Sequence, residues 1–203
     1  MPSGWIGCGM RREMLTATVD DVMSWEPCYD EKTGAYGREY VERLFDGRER
    51  MSALEFLQLD IPIEDRFWAV LRDELLDERT LRLWATDCAE QVLPLYESHR
   101  PGDDRPRKAI EAARGYARGL ISLEKMAAAR TDAWATEWVP ALATTREAAW
   151  EAAFCAAREA VREAALAASQ DSSRDTAWDT AWSYARKWQL DRLVAYLRDE
   201  VEQ

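Results

Sequence analysis

The apolar positions fall into a clear rhythm from residue 62 onward. Ile63, Phe67, Val70, Leu71 and Leu75 recur at i, i+4, i+7, i+8 and i+12, the stripe that one face of an α-helix presents. Leu81, Trp84, Ala85, Cys88, Val92 and Leu95 repeat that spacing. Pro94 lies inside this second run; with no backbone N–H to donate, it is expected to kink or end the helix. Pro101-Gly102 marks residues 98–104 as a loop. The next helix opens at Asp104 or Arg105, with Pro106 in its first turn, where proline is tolerated. Ile110, Ala113, Ala117 and Leu120 are expected on its inner face, and Gly119 finishes it. Ser122 starts another helix that runs to Trp138, before Pro140.

The carboxyl-terminal part is richer in alanine. Trp150, Phe154, Ala157, Val161 and Ala165 form one stripe within residues 146–168, and alanine both favours the helix and lets helix axes approach. Asp175-Thr176-Ala177-Trp178 is repeated as Asp179-Thr180-Ala181-Trp182, and the helix is expected to continue to Val201. Residues 14–60 are the least regular. They hold a short helix from Val19 to Trp25 and another from Gly37 to Phe45, stopped at Asp46-Gly47. Ser52 with Glu55 three residues later reads as a capping box for a third. Alternating β-branched runs are absent. The pattern predicts an all-α protein, a single helical bundle of six to eight helices over 61–203, with an irregular amino-terminal arm over 1–60. The first thirteen residues match nothing that follows, which leaves Met1 and Met14 both open as the start, with residues 1–13 an upstream extension in the second case.

Composition narrows what such a bundle can do. The 203 residues carry a formal charge of −11, which disfavours a nucleic-acid backbone or an anionic membrane as partner. The same charge keeps a protein soluble and attracts a basic protein. No run approaches the ~20 apolar residues that cross a bilayer, and the amino terminus has no apolar stretch of a secretion signal. Cys8, Cys28, Cys88 and Cys155 form no C-x-x-C pair, and His99 is the only histidine. That usage predicts free thiols in a reducing cytoplasm and no zinc site.

Candidate chemistry is sparse. Glu147 and Glu151, or Glu159 and Glu163, place two carboxylates on one helix face, but no histidine completes a di-iron set; with Arg158 and Arg162 interleaved they read as a solvated face. Neither a phosphate-binding glycine loop nor a G-x-S-x-G turn occurs. His99 beside Pro101-Gly102 reads as a surface residue. The expectation is a protein without catalytic residues, metal or cofactor.

Two features remain. Asp103-Asp104-Arg105-Pro106-Arg107-Lys108 puts carboxylates at a helix start, where they offset the dipole. It also puts Arg105, Arg107 and Lys108 there, which is unfavourable unless they pair elsewhere; Asp87 and Glu90 on the preceding helix are the expected partners. Tryptophans at i, i+4, as in Trp134/Trp138 and Trp178/Trp182, stack on one helix face. They fill gaps between alanine-rich helices or form an aromatic patch that anchors a partner; the sequence leaves both open.

The segment Leu81-Arg82-Leu83-Trp84-Ala85-Thr86-Asp87-Cys88-Ala89-Glu90-Gln91-Val92-Leu93-Pro94, the Asp-Asp-Arg-Pro-Arg-Lys-Ala-Ile-Glu-Ala run and Gly119-Leu120-Ile121-Ser122 resemble the immunity protein family, small helical proteins of bacteria and phages. The resemblance spans about residues 63–200. It implies a helical protein that neutralises a partner toxin, and for a phage member one that blocks a host defence system in the manner of an anti-CRISPR. It supplies no catalytic residues. Residues 14–60 resemble an extension found in phage-type members.

Three readings follow. The first is a non-enzymatic acidic inhibitor that occludes a basic protein, a toxin nuclease or a host defence effector. Asp103, Asp104, Arg105, Arg107, Lys108, Trp178 and Trp182 are its candidate contacts. The second is an assembly protein that forms a homo-oligomer through tryptophan-bearing helix faces. The third is an enzyme or small-ligand binder built on the Asp103–Lys108 corner.

Overall fold

The computed structural model describes residues 15–28, 36–136 and 171–201. Eight helices and one minimal sheet make up these residues, so the fold is all-α, as the spacing predicts. The stripe at Trp150–Ala165, the Glu147/Glu151 and Glu159/Glu163 carboxylate pairs and Trp138 lie outside them.

The amino-terminal part is ordered by local chemistry. β1 (Thr16–Ala17) pairs antiparallel with β2 (Met51–Ser52), with Thr16 opposite Ser52 and Ala17 opposite Met51. Arg50 ties this ladder laterally, donating from Nε to Thr16 Oγ1 at 2.6 Å and from Nη2 to the Thr16 carbonyl at 2.7 Å. Each strand leads straight into a capped helix. Thr18 caps α1 (Val19–Ser24), with Asp21 closing the box, and Ser52 caps α3 (Ala53–Leu57), with Glu55 closing it. Both boxes satisfy helix-end N–H groups that would otherwise lack partners. Between them α2 (Arg38–Phe45) ends at Asp46, which takes a left-handed conformation before Gly47.

The stripe from Ile63 to Leu75 is not one helix. α4 covers Ile63–Val70 only. At Leu71 (φ −78°, ψ 62°) the chain makes an inverse γ-turn, with Arg72 N–H donating to the Val70 carbonyl at 2.8 Å. Arg72 then stacks on Trp25 and Trp68, its guanidinium 4.6 and 4.3 Å from the ring centroids. Leu71, Leu75 and Leu76 stay buried although the helix has ended. The apolar face is real, but a turn presents its last part.

Pro94 does not end its helix. α5 runs Glu78–His99, capped by Asp77, which accepts from Thr80 N–H at 2.9 Å. Pro94 sits on the exposed side, where solvent reaches the carbonyl it leaves unbonded. α6 (Arg105–Ala117) ends at Gly119, whose φ of 71° suits glycine. Leu120 therefore lies beyond the helix and is 74% exposed, not on its inner face. Ser122 caps α7 (Leu123–Trp134), which stops short of the expected Trp138. α8 spans Asp171–Leu197; it ends before Val201 because Asp199 turns left-handed and Glu200 N–H closes back on the Ala195 carbonyl at 2.9 Å.

α8 packs on α5, α4 and α3, while α6 lies between α5 and α7. The core contains Phe67, Val70, Leu83, Trp84, Cys88 and Leu193 together with Ala17, Val41, Phe45, Met51 and Leu57 from the amino-terminal part. Trp84 is fully buried, and its indole N–H donates to the Gln189 carbonyl at 2.8 Å. That bond matters because a buried indole without a partner is costly. Ala89, Leu93 and Ile110 make a smaller contact between α5 and α6. None of the described helices is long and apolar enough to cross a membrane.

Candidate functional site

The corner between α5 and α6 is a set of paired charges. Asp103 accepts from Arg105 at both oxygens (2.8 and 2.6 Å) and from the Tyr96 hydroxyl at 2.6 Å. Arg105 and Tyr96 together hold its carboxyl well below the usual carboxylate range. Arg107 forks onto Glu97 at 2.9 and 2.8 Å, and Lys108 reaches Asp104 at 2.8 Å. Each cation at the start of α6 is thus matched by a carboxylate, which removes its conflict with the helix dipole. Asp104 sits at the N-cap without a side-chain capping bond; Asp103 instead accepts from Arg105 N–H at 3.3 Å. A cleft of ≈310 Å³ lies beside this corner, lined by Arg105, Lys108, Thr131 and Asp132.

Asp87 and Glu90 do not pair with these cations. They take Arg114, one helix end away, whose Nη2 lies 2.8 Å from Asp87 and 2.6 Å from Glu90. Asp87, 9% exposed at its side chain, also accepts from Arg192 Nε and the Tyr196 hydroxyl, each at 2.6 Å. One buried carboxylate thereby joins α5, α6 and α8. Burial, followed by the bond to Asp87, pushes the Tyr196 hydroxyl well above its ordinary value, so it remains a donor. Arg192 and Tyr196 carry no local signal in the sequence; only the packing of α8 on α5 brings them there.

Trp178 and Trp182 lie on α8, half-buried and stacked nearly parallel, with ring centroids 6.3 Å apart and planes 8° from one another. Arg186, one turn on, is almost wholly buried. It forks onto Glu64 of α4, donates to Gln189 Oε1 at 2.8 Å and lies 4.2 Å from the centre of the Phe67 ring. The Asp103–Lys108 corner is built on α5 and α6 and the tryptophan pair on α8.

An apolar hollow lies elsewhere. A cavity of ≈250 Å³ opens among α1, α2, α3 and α4, walled by Leu44, Phe45, Phe56, Leu59, Ile61 and Trp68. Glu64 and Asp65 line it as well, and Tyr36 donates its hydroxyl to Asp65 there. Cys28, exposed, stands on the same wall. Nothing in the spacing of residues 14–60 signals this hollow, because it forms only where four short helices meet. Charge is concentrated in the same stretch: residues 1–77 hold 17 Asp and Glu against nine Lys and Arg, which is −8 of the total −11. Among the described residues, no cluster of three or more His, Cys, Asp or Glu is arranged to hold a metal ion.

The model of the Imm-5 like putative immunity protein family matches residues 73–195. The chain belongs to this family. The family-matched part runs from just before α5 to near the end of α8, so it includes the Asp103–Lys108 corner, Trp178 and Trp182, and the Asp87–Arg114–Arg192 set. It falls within the 63–200 span over which the sequence resembles immunity proteins. The cavity and most of the excess acidity lie outside the immunity-family match. No curated protein and no solved structure matches the chain.

Proposed function

We propose that this chain is a non-enzymatic inhibitor of the immunity type, which binds and occludes a basic protein partner. Family membership over residues 73–195 carries this reading, since immunity proteins are named for neutralising partner toxins. The formal charge of −11 supports a basic target, in the class of toxin nucleases or host defence effectors, with anti-CRISPR action as the form a phage member would take. The chain works in the cytoplasm and acts without direct contact to nucleic acid or membrane. The conspicuous charged groups on α5, α6 and α8 engage one another across helices, which supports a structural use and not a catalytic one. The Asp103–Lys108 corner in this reading is first a clasp between α5 and α6.

The test is stoichiometry. The partner's activity is measured while the purified chain is titrated in. Inhibition that saturates at equal molar amounts supports occlusion; inhibition complete far below equivalence would mean turnover, hence an enzyme. A second reading draws on the half-buried, parallel Trp178–Trp182 pair, a shape suited to self-association. Sedimentation that stays monomeric across concentration removes it.

A further inference from the structure

We infer that the cavity among α1, α2, α3 and α4 is the docking pocket for an apolar anchor of the basic partner, an aromatic or long aliphatic side chain presented next to a lysine or arginine. The inference rests on the immunity reading and gives it a place on the molecule.

Size comes first. A dry apolar cavity of about 150 Å³ takes up a benzene ring, and this one measures ≈250 Å³, enough for an indole or a phenyl ring with its methylene. Its walls, among them Leu44, Phe56, Leu59 and Trp68, offer an occupant only apolar contact over most of their extent. Close-packed interiors do not keep such hollows without a cost in stability, and filling one on binding returns that loss. Interface anchors of this kind are large, apolar and seated in preformed pockets.

Charge then selects the occupant. Asp65 accepts from the neutral Tyr36 hydroxyl, and among the described residues no cation pairs with it. Asp60, exposed, stands between the lining residues Leu59 and Ile61. Residues 1–77 hold most of the protein's net negative charge. An anionic anchor would be repelled at this mouth, and a cation beside the anchor would meet Asp65. The pocket also lies outside the family-matched residues 73–195, on a part of the chain where a choice among partners can be made.

Two ring compounds of opposite charge read the pocket directly. The full-length chain, labelled with ¹⁵N, is titrated with tryptamine and, separately, with indole-3-acetate. Tryptamine is expected to shift the resonances of Leu44, Leu59 and Trp68 and to bind at least tenfold more tightly than the acid. Asp65→Asn is expected to erase most of that difference. Ala69→Phe, which fills the pocket from α4, is expected to abolish tryptamine binding and to weaken the partner complex tenfold or more. Leu44→Trp fills the same space from α2 and serves where circular dichroism shows that Ala69→Phe does not fold. No preference for the cation, or shifts away from the pocket, would overturn the inference. So would undiminished partner affinity in both filled variants, even with tryptamine binding lost; the hollow would then be a small-ligand site. The immunity reading survives either result, and it fails separately if no partner is bound by the unmodified chain.

Discussion

The Tyr196 hydroxyl on α8 donates to the Asp87 carboxylate on α5 at 2.6 Å, across a separation of 109 residues. Because Arg114 and Arg192 close on the same carboxylate, the family-matched part is fastened at one buried point. Removing that carboxylate takes the anion from Arg192 and leaves Arg114 with Glu90 alone.

Asp87→Ala should therefore destabilise the protein by about 3 kcal/mol, the lower end for breaking a buried pair, since both arginines retain some water. Asp87→Asn keeps the shape and the bond from Tyr196 but loses the charge, and should cost less than the alanine. Urea unfolding of the three proteins measures both steps. Equal stability of all three would mean that the carboxylate fastens nothing.

A second prediction concerns acid. The carboxyls of Asp21 and Glu55 lie below their ordinary values of 3.8 and 4.5, mainly because they accept from the backbone N–H of Thr18 and Ser52. Asp103 is depressed in the same sense by Arg105. For a carboxyl depressed by folding, the added stability is present above the ordinary value and lost as pH falls through the folded one. Stability should thus hold near neutrality and decline below about pH 4.5. Glu55→Gln, which keeps the shape but not the charge, should cost about 1 kcal/mol at pH 7 and progressively less as pH falls through the folded value of Glu55. A cost that does not change with pH would count against the carboxylate as its source.

How far the fold was legible follows from the range of each interaction. The Ser52–Glu55 box and the proline-led start of α6 are written within four residues, and both stand in the structure. The break at Leu71 is not local. It depends on Arg72 lying between Trp68 and Trp25, and Trp25 belongs to a segment whose own periodicity is weak. Glu64 and Arg186 are 122 residues apart, and no spacing rule pairs them. Asp87 and Glu90 are legible as acids in need of cations. Choosing Arg114 over Arg105, Arg107 or Lys108 requires knowing how α6 lies along α5. The cavity was least legible, being a property of four helices and not of any one.

Thiol chemistry gives a third prediction. Cys28 is exposed at the mouth of the cavity, whereas Cys88 is enclosed in the core, where burial pushes its thiol well up. Only the thiolate reacts. Iodoacetamide at pH 8 should modify Cys28 within minutes and leave Cys88 intact until the protein is unfolded, as read by peptide mass mapping. Fast labelling of Cys88 in the native protein would contradict the packing of α5.

The corner at the start of α6 yields a fourth. The Arg107–Glu97 fork is partly exposed, with side-chain accessibilities of 45% and 33%, so Arg107→Ala should lower stability by no more than about 1 kcal/mol. Partner affinity should stay within twofold. A tenfold loss of affinity with unchanged stability would move the corner from clasp to interface.

The role proposed for the chain is to bind and occlude a basic protein. The most direct measurement is affinity capture from its native host at low and high salt, followed by a binding isotherm with the purified captured protein. Occlusion of a basic target should yield one basic protein, bound at equal molar ratio and released as salt rises. Recovery of the chain alone, or of an acidic protein whose binding ignores salt, would contradict it.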